Sequence, residues 1–126
     1  MKIPSIHVGC GNFSIQRLEI LTKSDQFIPV ACVDIDTVKA KNKLESIKND
    51  ANIDLTKQLY TSISEAKNKN NDAKACFIFV SSKEHPKLII ESLKLGMHTY
   101  CVKPIANNRE DFLEIIKVHN TVCDSC

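Results

Sequence analysis

The residues whose types and spacing could do chemistry are two glycines and a carboxylate. A short run, Ser5-Ile6-His7-Val8, leads directly into Gly9-Cys10-Gly11-Asn12-Phe13-Ser14, and Asp34 follows 23 residues after the second glycine. A strand that turns sharply into a helix leaves the first N–H groups of that helix unpaired, and these groups at its positive end attract phosphate. Gly9 permits the tight turn, Gly11 lets the backbone come close to a pyrophosphate, and a small residue at position 14 lets helix and strand pack closely. Ser14 is small, but it stands where the Gly-x-Gly-x-x-Gly pattern has its third glycine, and it brings a hydroxyl. Asp34 lies near the spacing at which a carboxylate accepts hydrogen bonds from ribose 2′- and 3′-hydroxyls and repels a 2′-phosphate. The pattern predicts a dinucleotide site that prefers NAD. NADP stays open because Lys39, Lys41 and Lys43 follow closely, and the competing role for Asp34 is to cap the next helix, which Asp36 or Thr37 would do equally well.

Two further loops supply candidates. Val80-Ser81-Ser82-Lys83-Glu84-His85-Pro86 follows the strongest apolar run, and ligand crevices of doubly wound sheets lie at the carboxyl ends of strands. Ser81 and Ser82 are therefore expected beside the nicotinamide half of a dinucleotide. His85 either touches cofactor or substrate or sits in the first turn of a helix, facing solvent or capping it. Cys101-Val102-Lys103-Pro104 places Lys103 at the mouth of the same crevice, as an acid, base or hydrogen-bond donor, or else as a surface lysine. Cys123-Asp-Ser-Cys126 has redox or half-zinc-site spacing but no second pair, so no metal site is predicted.

Positioning these residues requires alternating strands and helices. Strand patterns cover Ser5 to Val8, Phe27 to Val33, a weak Leu59-Tyr60, Ala75 to Val80 and His98 to Val102, and each is followed by helical spacing, the mark of βαβ units. In the first helix Ile15, Leu18 and Leu21 are expected to face the sheet, and in the second Ala40, Leu44 and Ile47. Residues 51–57 have no period. Ser64-Glu65-Ala66 opens a short helix that frays into a polar loop, and His85-Pro86 opens the next, with Ile89, Ile90 and Leu93 inward and Gly96 as its stop. Asn107 or Asn108 caps the last helix, whose inner face is Phe112, Ile115, Ile116 and His119. The fold class is α/β, a doubly wound, Rossmann-like parallel sheet of five strands in the order 3-2-1-4-5.

Composition bounds the rest. The chain has 126 residues, 43% hydrophobic and 25% charged, with 17 Lys and Arg against 15 Asp and Glu. That describes one domain, residues 1–122, with a tail at 123–126. Scattered lysines and a net charge of +2 give no footprint for nucleic acid, which requires a concentrated basic face. No apolar run has the length of a membrane span, and the N-terminal run before Gly9 is too short for an export signal. A cytoplasmic location with free thiols follows, and Cys10, Cys32, Cys76 and Cys101 are expected as small buried hydrophobes.

Taken together, Gly9-x-Gly11-Asn12-Phe13, Val30 to Asp34, Ala75 to Ser82, His85, Leu93-x-x-Gly96-x-His98 and Lys103-Pro104 resemble the N-terminal domain of the glucose–fructose oxidoreductase and inositol dehydrogenase (Gfo/Idh/MocA) family. The resemblance implies a two-domain NAD(P)-dependent oxidoreductase acting on sugars, cyclitols and their derivatives. It implies pyrophosphate binding at Gly9, Gly11 and the neighbouring amides of Cys10, Asn12 and Phe13, and ribose binding at Asp34. Around the nicotinamide it implies Ser81, Ser82, His85 and the Lys103-Pro104 pair, with Lys103 placing or protonating the reacting oxygen. Val102 stands where the family's Glu-Lys-Pro motif has glutamate. The resemblance also implies that a sixth strand and a substrate domain lie outside these 126 residues, so that a polyol or sugar is handled only if a second domain is supplied. A catalytically silent nucleotide-binding or regulatory module is the alternative. An open sheet edge would allow homo-oligomers.

Overall fold

A computed structural model describes residues 1–47 and 53–123. Among these residues, five strands, β1 (Ile3–Val8), β2 (Phe27–Val33), β3 (Leu59–Tyr60), β4 (Ala75–Ile78) and β5 (His98–Cys101), alternate with five α-helices, α1 (Asn12–Thr22), α2 (Thr37–Leu44), α3 (Ile63–Lys69), α4 (His85–Lys94) and α5 (Arg109–Cys123), with a short 3-10 turn, Ser82–Glu84, leading into α4. The strands pair in parallel in the order β3-β2-β1-β4-β5, as expected from the alternating pattern. Pro29 has no N–H to give the ladder, and the β1–β2 register slips there: Ser5 lies opposite Pro29, but Ile6 lies opposite Ala31.

Alternation along the strands divides the core in two. Ile6, Val8, Ala31, Val33, Cys76 and Ile78 face α3, α4 and α5 through Ile63, Ala66, Ile89, Leu93, Ile115 and Val118. Cys32 faces the other way, packing with Cys10, Leu18, Ala40, Leu44 and Leu55 beneath α1 and α2. Burial pushes the Cys76 thiol up to about 12, and the Cys10 thiol, hydrogen-bonded to Cys32, pushes Cys32 up as well. These thiols are packing groups rather than nucleophiles. Cys101 is only half-buried.

Several boundaries and faces differ from expectation for local reasons. The buried face of α1 is Ser14, Leu18 and Thr22, with Ile15 and Leu21 at its margins, because small polar residues let the helix sit closer to the sheet than the apolar spacing suggests. α3 starts at Ile63, one residue early, because Ser62 caps it by accepting from Glu65 N–H at 3.1 Å. β4 stops at Ile78 and β5 at Cys101, each short of its apolar run. On α5, Ile115 and Val118 are buried, whereas Phe112, Ile116 and His119 are exposed. α5 packs beside α4 next to the open edge of β5, so only a narrow stripe of it meets the core. Asn108, not Asn107, caps it, accepting from Asp111 N–H at 2.8 Å. Gly96 ends α4 with φ +81°, as its position suggested. Of residues 51–57, the first two lie outside the described residues, as do 124–126 of the Cys123–Cys126 pair. Residues 53–57 form no helix or strand, and Leu55 anchors them.

Two residues at the end of β1 stand apart from the apolar core around them. Gly9 takes φ +98°, and a Cβ there would lie 2.2 Å from Phe79 O. His7, fully buried on the central strand, stacks on Phe79 at 5.0 Å and contacts Ser14 Oγ through Nε2 at 2.7 Å. Burial lowers the His7 pKa from 6.5 to about 4. Gly9→Ala is expected to cost about 3 kcal/mol or more, from strain plus overlap. By contrast Gly11→Ala, where a Cβ meets nothing within 4 Å, should cost about 1 kcal/mol or less as an N-cap change. Urea melts of both variants check the difference. For His7 the unfolded chain takes up a proton that the folded chain refuses. The stability that the neutral ring contributes is complete above pH 6.5 and is lost as pH falls toward about 4, a fall of about 3 kcal/mol in all. His7→Leu should flatten that part of the stability–pH curve; parallel curves for variant and wild type would remove the assignment.

Candidate functional site

The carboxyl ends of the central strands open onto two adjoining hollows. The first, about 380 Å³, lies between the Gly9-to-Ser14 turn and Phe79, Val80 and Val102. The second, about 440 Å³, has Ile35, Thr61, Ser62 and Leu88 among its walls. Gly9, Asp34, Val80 and Ser81 border both. The two therefore form one trough across the point where the strand order reverses, which is where open α/β sheets take ligands. A separate apolar hollow of about 420 Å³ between β5, α4 and α5 shares no residue with it.

The trough is donor-rich at the glycine turn. α1 begins without a side-chain cap, because Gly11 occupies the N-cap, and it has no acid in its first turn. In contrast Asp36, Ser62 and Asn108 cap α2, α3 and α5. The first intrahelical bond runs from Ile15 N–H to Gly11 O at 2.9 Å, so the N–H groups of Asn12, Phe13 and Ser14 precede the helical ladder and its positive end faces the first hollow. Asn12 and Phe13 are exposed. Phe13 meets Phe79 edge-on at 6.2 Å, with the Arg17 guanidinium 4.4 Å above its ring. Cys10 presents backbone rather than thiol, since its side chain is buried.

Asp34 supplies the acceptors. Its Oδ2 accepts from Cys10 N–H at 2.8 Å and its Oδ1 from Asp36 N–H at 2.9 Å, and each oxygen keeps a lone pair for another donor. Helix capping falls to Asp36, which accepts from Lys39 N–H at 3.1 Å. Lys41 and Lys43 lie in the last turn of α2, so of the three lysines only Lys39 starts close to Asp34.

The second group of expected residues divides. Ser81 borders both hollows, but Ser82 is turned away, its Oγ accepting from Asn107 Nδ2 at 3.2 Å. His85 does not open onto the trough or onto solvent. It is 1% exposed, with Nδ1 2.6 Å from Pro104 O and Nε2 2.9 Å from Val80 O. The ring ties the loop after β4 to the loop after β5; an imidazolium donates to both carbonyls, a neutral ring to one. Lys103 is exposed, its peptide bond to Pro104 is cis, and neither residue borders the trough, whereas Val102 does. Sequence reasoning missed the walls of the second hollow. Ile35, 91% exposed, is a single apolar residue between two acids and carries no pattern. Thr61 and Ser62 had a signal in Ser62-x-x-Glu65, a capping box directly behind a strand.

Comparison with known proteins agrees with this geometry. The GFO/IDH/MocA family model, an oxidoreductase family with an NAD-binding Rossmann fold, matches residues 6–122. No curated protein matches the sequence significantly. Among solved structures, the chain is similar to the WlbA dehydrogenase from Bordetella pertussis in complex with NADH and UDP-GlcNAcA, with 24% identity and a TM-score of 0.79 over 98% of this chain and 36% of that one. It is similar to myo-inositol 2-dehydrogenase from Lactobacillus plantarum, with 20% identity and a TM-score of 0.72 over 96% of this chain and 34% of that one. A third is KijD10, a 3-ketoreductase from Actinomadura kijaniata in complex with TDP-benzene and NADP, with 16% identity and a TM-score of 0.77 over 96% of this chain and 36% of that one. The chain spans about a third of the length of these proteins. The matched residues take in the glycine turn, the whole trough and four of the five strands entire, and over them the chain belongs to the GFO/IDH/MocA oxidoreductase family through its NAD-binding Rossmann fold.

Proposed function

We propose that this chain binds NAD(H) along the trough and forms the nucleotide-binding part of a dehydrogenase acting on a sugar, a cyclitol or a related hydroxyl or carbonyl compound. The observation that carries the reading is the uncapped N-terminus of α1 facing a hollow at Gly11, where no atom lies within 4 Å of a Cβ position. A pyrophosphate fits those donors and that space. The bound nicotinamide supplies hydride transfer.

The residues then divide the work. Amides of Gly11, Asn12, Phe13 and Ser14 hold the pyrophosphate, with Gly9 and Cys10 shaping the turn. Asp34 accepts from the ribose hydroxyls, which favours NAD over NADP. Ile35 and Leu88 offer apolar surface to the base, and Phe79, Val80 and Ser81 flank the nicotinamide half. Lys103 serves as donor to the reacting oxygen. Pro104, His85 and Ser82 act through the shape of the two loops rather than by contact. Cys10, Cys32, Cys76 and Cys101 are free thiols, which suit a reducing cytoplasm, and the β5 edge is the surface on which copies of the chain would pair.

A second reading, a silent nucleotide-binding module, is favoured by Val102, which puts an apolar wall where a carboxylate would anchor the nicotinamide half. Turnover of NAD with a polyol by this chain would set that reading aside.

Titration with NADH, followed by fluorescence, should give a Kd in the micromolar-to-millimolar range, about −8 to −4 kcal/mol. Gly11→Val should weaken binding about tenfold or more while leaving the protein folded. A folded wild-type protein whose fluorescence and melting temperature ignore NADH would overturn the dinucleotide reading. Asp34→Ala should bring the affinities for NADH and NADPH together; an unchanged ratio would remove the role given to this carboxylate.

A further inference from the structure

We propose that His7 and Ser14 are positioning residues: they clamp the Gly9–Cys10 peptide unit and, through it, orient the Asp34 carboxylate. The proposal rests on the dinucleotide reading for its ligand, though not for its geometry. Ser14 Oγ–H donates to Gly9 O, which commits the only hydroxyl proton. In the 2.7 Å contact with Ser14 Oγ the imidazole is therefore the donor, through Nε2–H, which also reaches Ser14 O at 3.0 Å. Gly9 O and Cys10 N belong to one planar peptide unit. Cys10 N–H donates to Asp34 Oδ2 at 2.8 Å, and the other carboxylate oxygen accepts from Asp36 N–H at 2.9 Å. The peptide is held at both ends, by a hydroxyl on its oxygen and a carboxylate on its hydrogen.

The clamp restrains the freedom that the turn itself requires. Gly9 is there because the backbone takes a positive φ against Phe79, and glycine resists rotation of the following peptide less than any other residue. Without a donor on Gly9 O, that peptide can turn and carry Cys10 N–H away from Asp34. His7 and Ser14 are fully enclosed, so water does not replace either bond, and hydrogen bonds linked in series inside a protein strengthen one another. Among the described residues His7 Nδ1 has no partner. An apolar side chain would fill the space without that unpaired acceptor; what histidine adds is a donor fixed on Ser14 Oγ.

Ser14→Ala and His7→Leu are expected to raise the Kd for NADH about tenfold and to compress the preference for NADH over NADPH about threefold. His7→Gln, which keeps an N–H donor, should recover most of both. Circular dichroism establishes that each variant is folded. Wild-type affinity and preference in folded Ser14→Ala and His7→Leu would overturn the proposal. A ligand-free measurement separates its failure from that of the dinucleotide reading. In wild-type protein the His7 nitrogen resonances should show a protonated Nε2 and a bare Nδ1, and the Cys10 amide proton should lie downfield, bonded to the carboxylate. That amide should move upfield in both variants. If the wild-type protein binds neither dinucleotide, the ligand reading fails and the Cys10 amide decides the clamp: moved, it stands; unmoved in both variants, it falls.

Discussion

A Cβ on residue 9 would lie 2.2 Å from Phe79 O, so the backbones leaving β1 and β4 can run this close only where residue 9 has no side chain. Around that approach three strands end together, with Gly9 N–H donating to Val33 O at 2.7 Å and Phe79 N–H to Val8 O at 2.9 Å. The positive φ at Gly9 turns the chain off the sheet and into α1 within three residues. α1 then lies with Ser14 against β1 and its open N-terminus over the gap between β1 and β4. Asp34, at the end of β2, meets the same turn through Cys10 N–H. The donors, the carboxylate and the hollow between them are thus consequences of one backbone contact, and no other residue at position 9 allows it.

The parts of this arrangement that depend on chain direction and periodicity are legible in the sequence. β-branched runs separated by helical spacing fix a parallel sheet, because parallel neighbours need crossovers and crossovers have one hand. The Gly9-x-Gly11 turn and Asp34 can be found because glycine and a strand-end carboxylate have few roles at those spacings. Packing against the grain of hydrophobicity is not legible. His7 and Ser14 are polar residues in the core, seven positions apart, and each looks like an interruption of an apolar face until the two are seen to satisfy one another. Apolar spacing misplaces the centre of the inner face of α1 for the same reason. His85 is expected at the site or in the first turn of a helix, in solvent or as a cap, and it does open α4, but nothing local says that Val80 O and Pro104 O will come from two different loops to meet its two nitrogens. α5 misleads in the opposite sense. Its apolar residues are real, but lying beside an open sheet edge it buries only part of them.

The trough is chemically lopsided, and the lopsidedness has a structural cause. At the glycine turn the walls are backbone: amides at a helix start, and a carboxylate held by two further amides. Backbone donors stay where the fold puts them and lose no side-chain entropy when they bind, so this end is preorganised. Facing that turn the walls are side chains, Phe79, Val80 and Val102, with the exposed Lys103 one residue beyond Val102. His85 fixes the loop that carries Lys103 at Pro104 O, not at the lysine itself. One wall of the first hollow is thus rigid, donor-rich backbone and the facing wall is apolar side chain, while the second hollow adds the polar Thr61, Ser62, Glu84, Lys87 and Glu91.

Exposed apolar side chains lie on both sides of the sheet's centre. On the β1–β2 side His7 and Ser14 are enclosed, yet Phe13, Ile20, Ile35 and Val38 stand in solvent. On the β5 side, Tyr100 is 54% exposed and Ile105, Phe112, Leu113 and Ile116 stand out of the core. A row of aromatic rings, Phe27, Phe77, Tyr100, Phe79 and Phe13, runs in mutual contact across the face opposite α4 and α5. Apolar surface left in water forgoes about 25 cal/mol per Å², so both sides contribute less stability than their composition allows. The open amides of the glycine turn and the Asp34 carboxylate lie at the ends of β1 and β2. Val102 and Lys103 follow β5. The backbone donors and the carboxylate of the trough are therefore fixed by the central strands, whereas Val102 and Lys103 depend on the loop after β5, which His85 ties to the loop after β4.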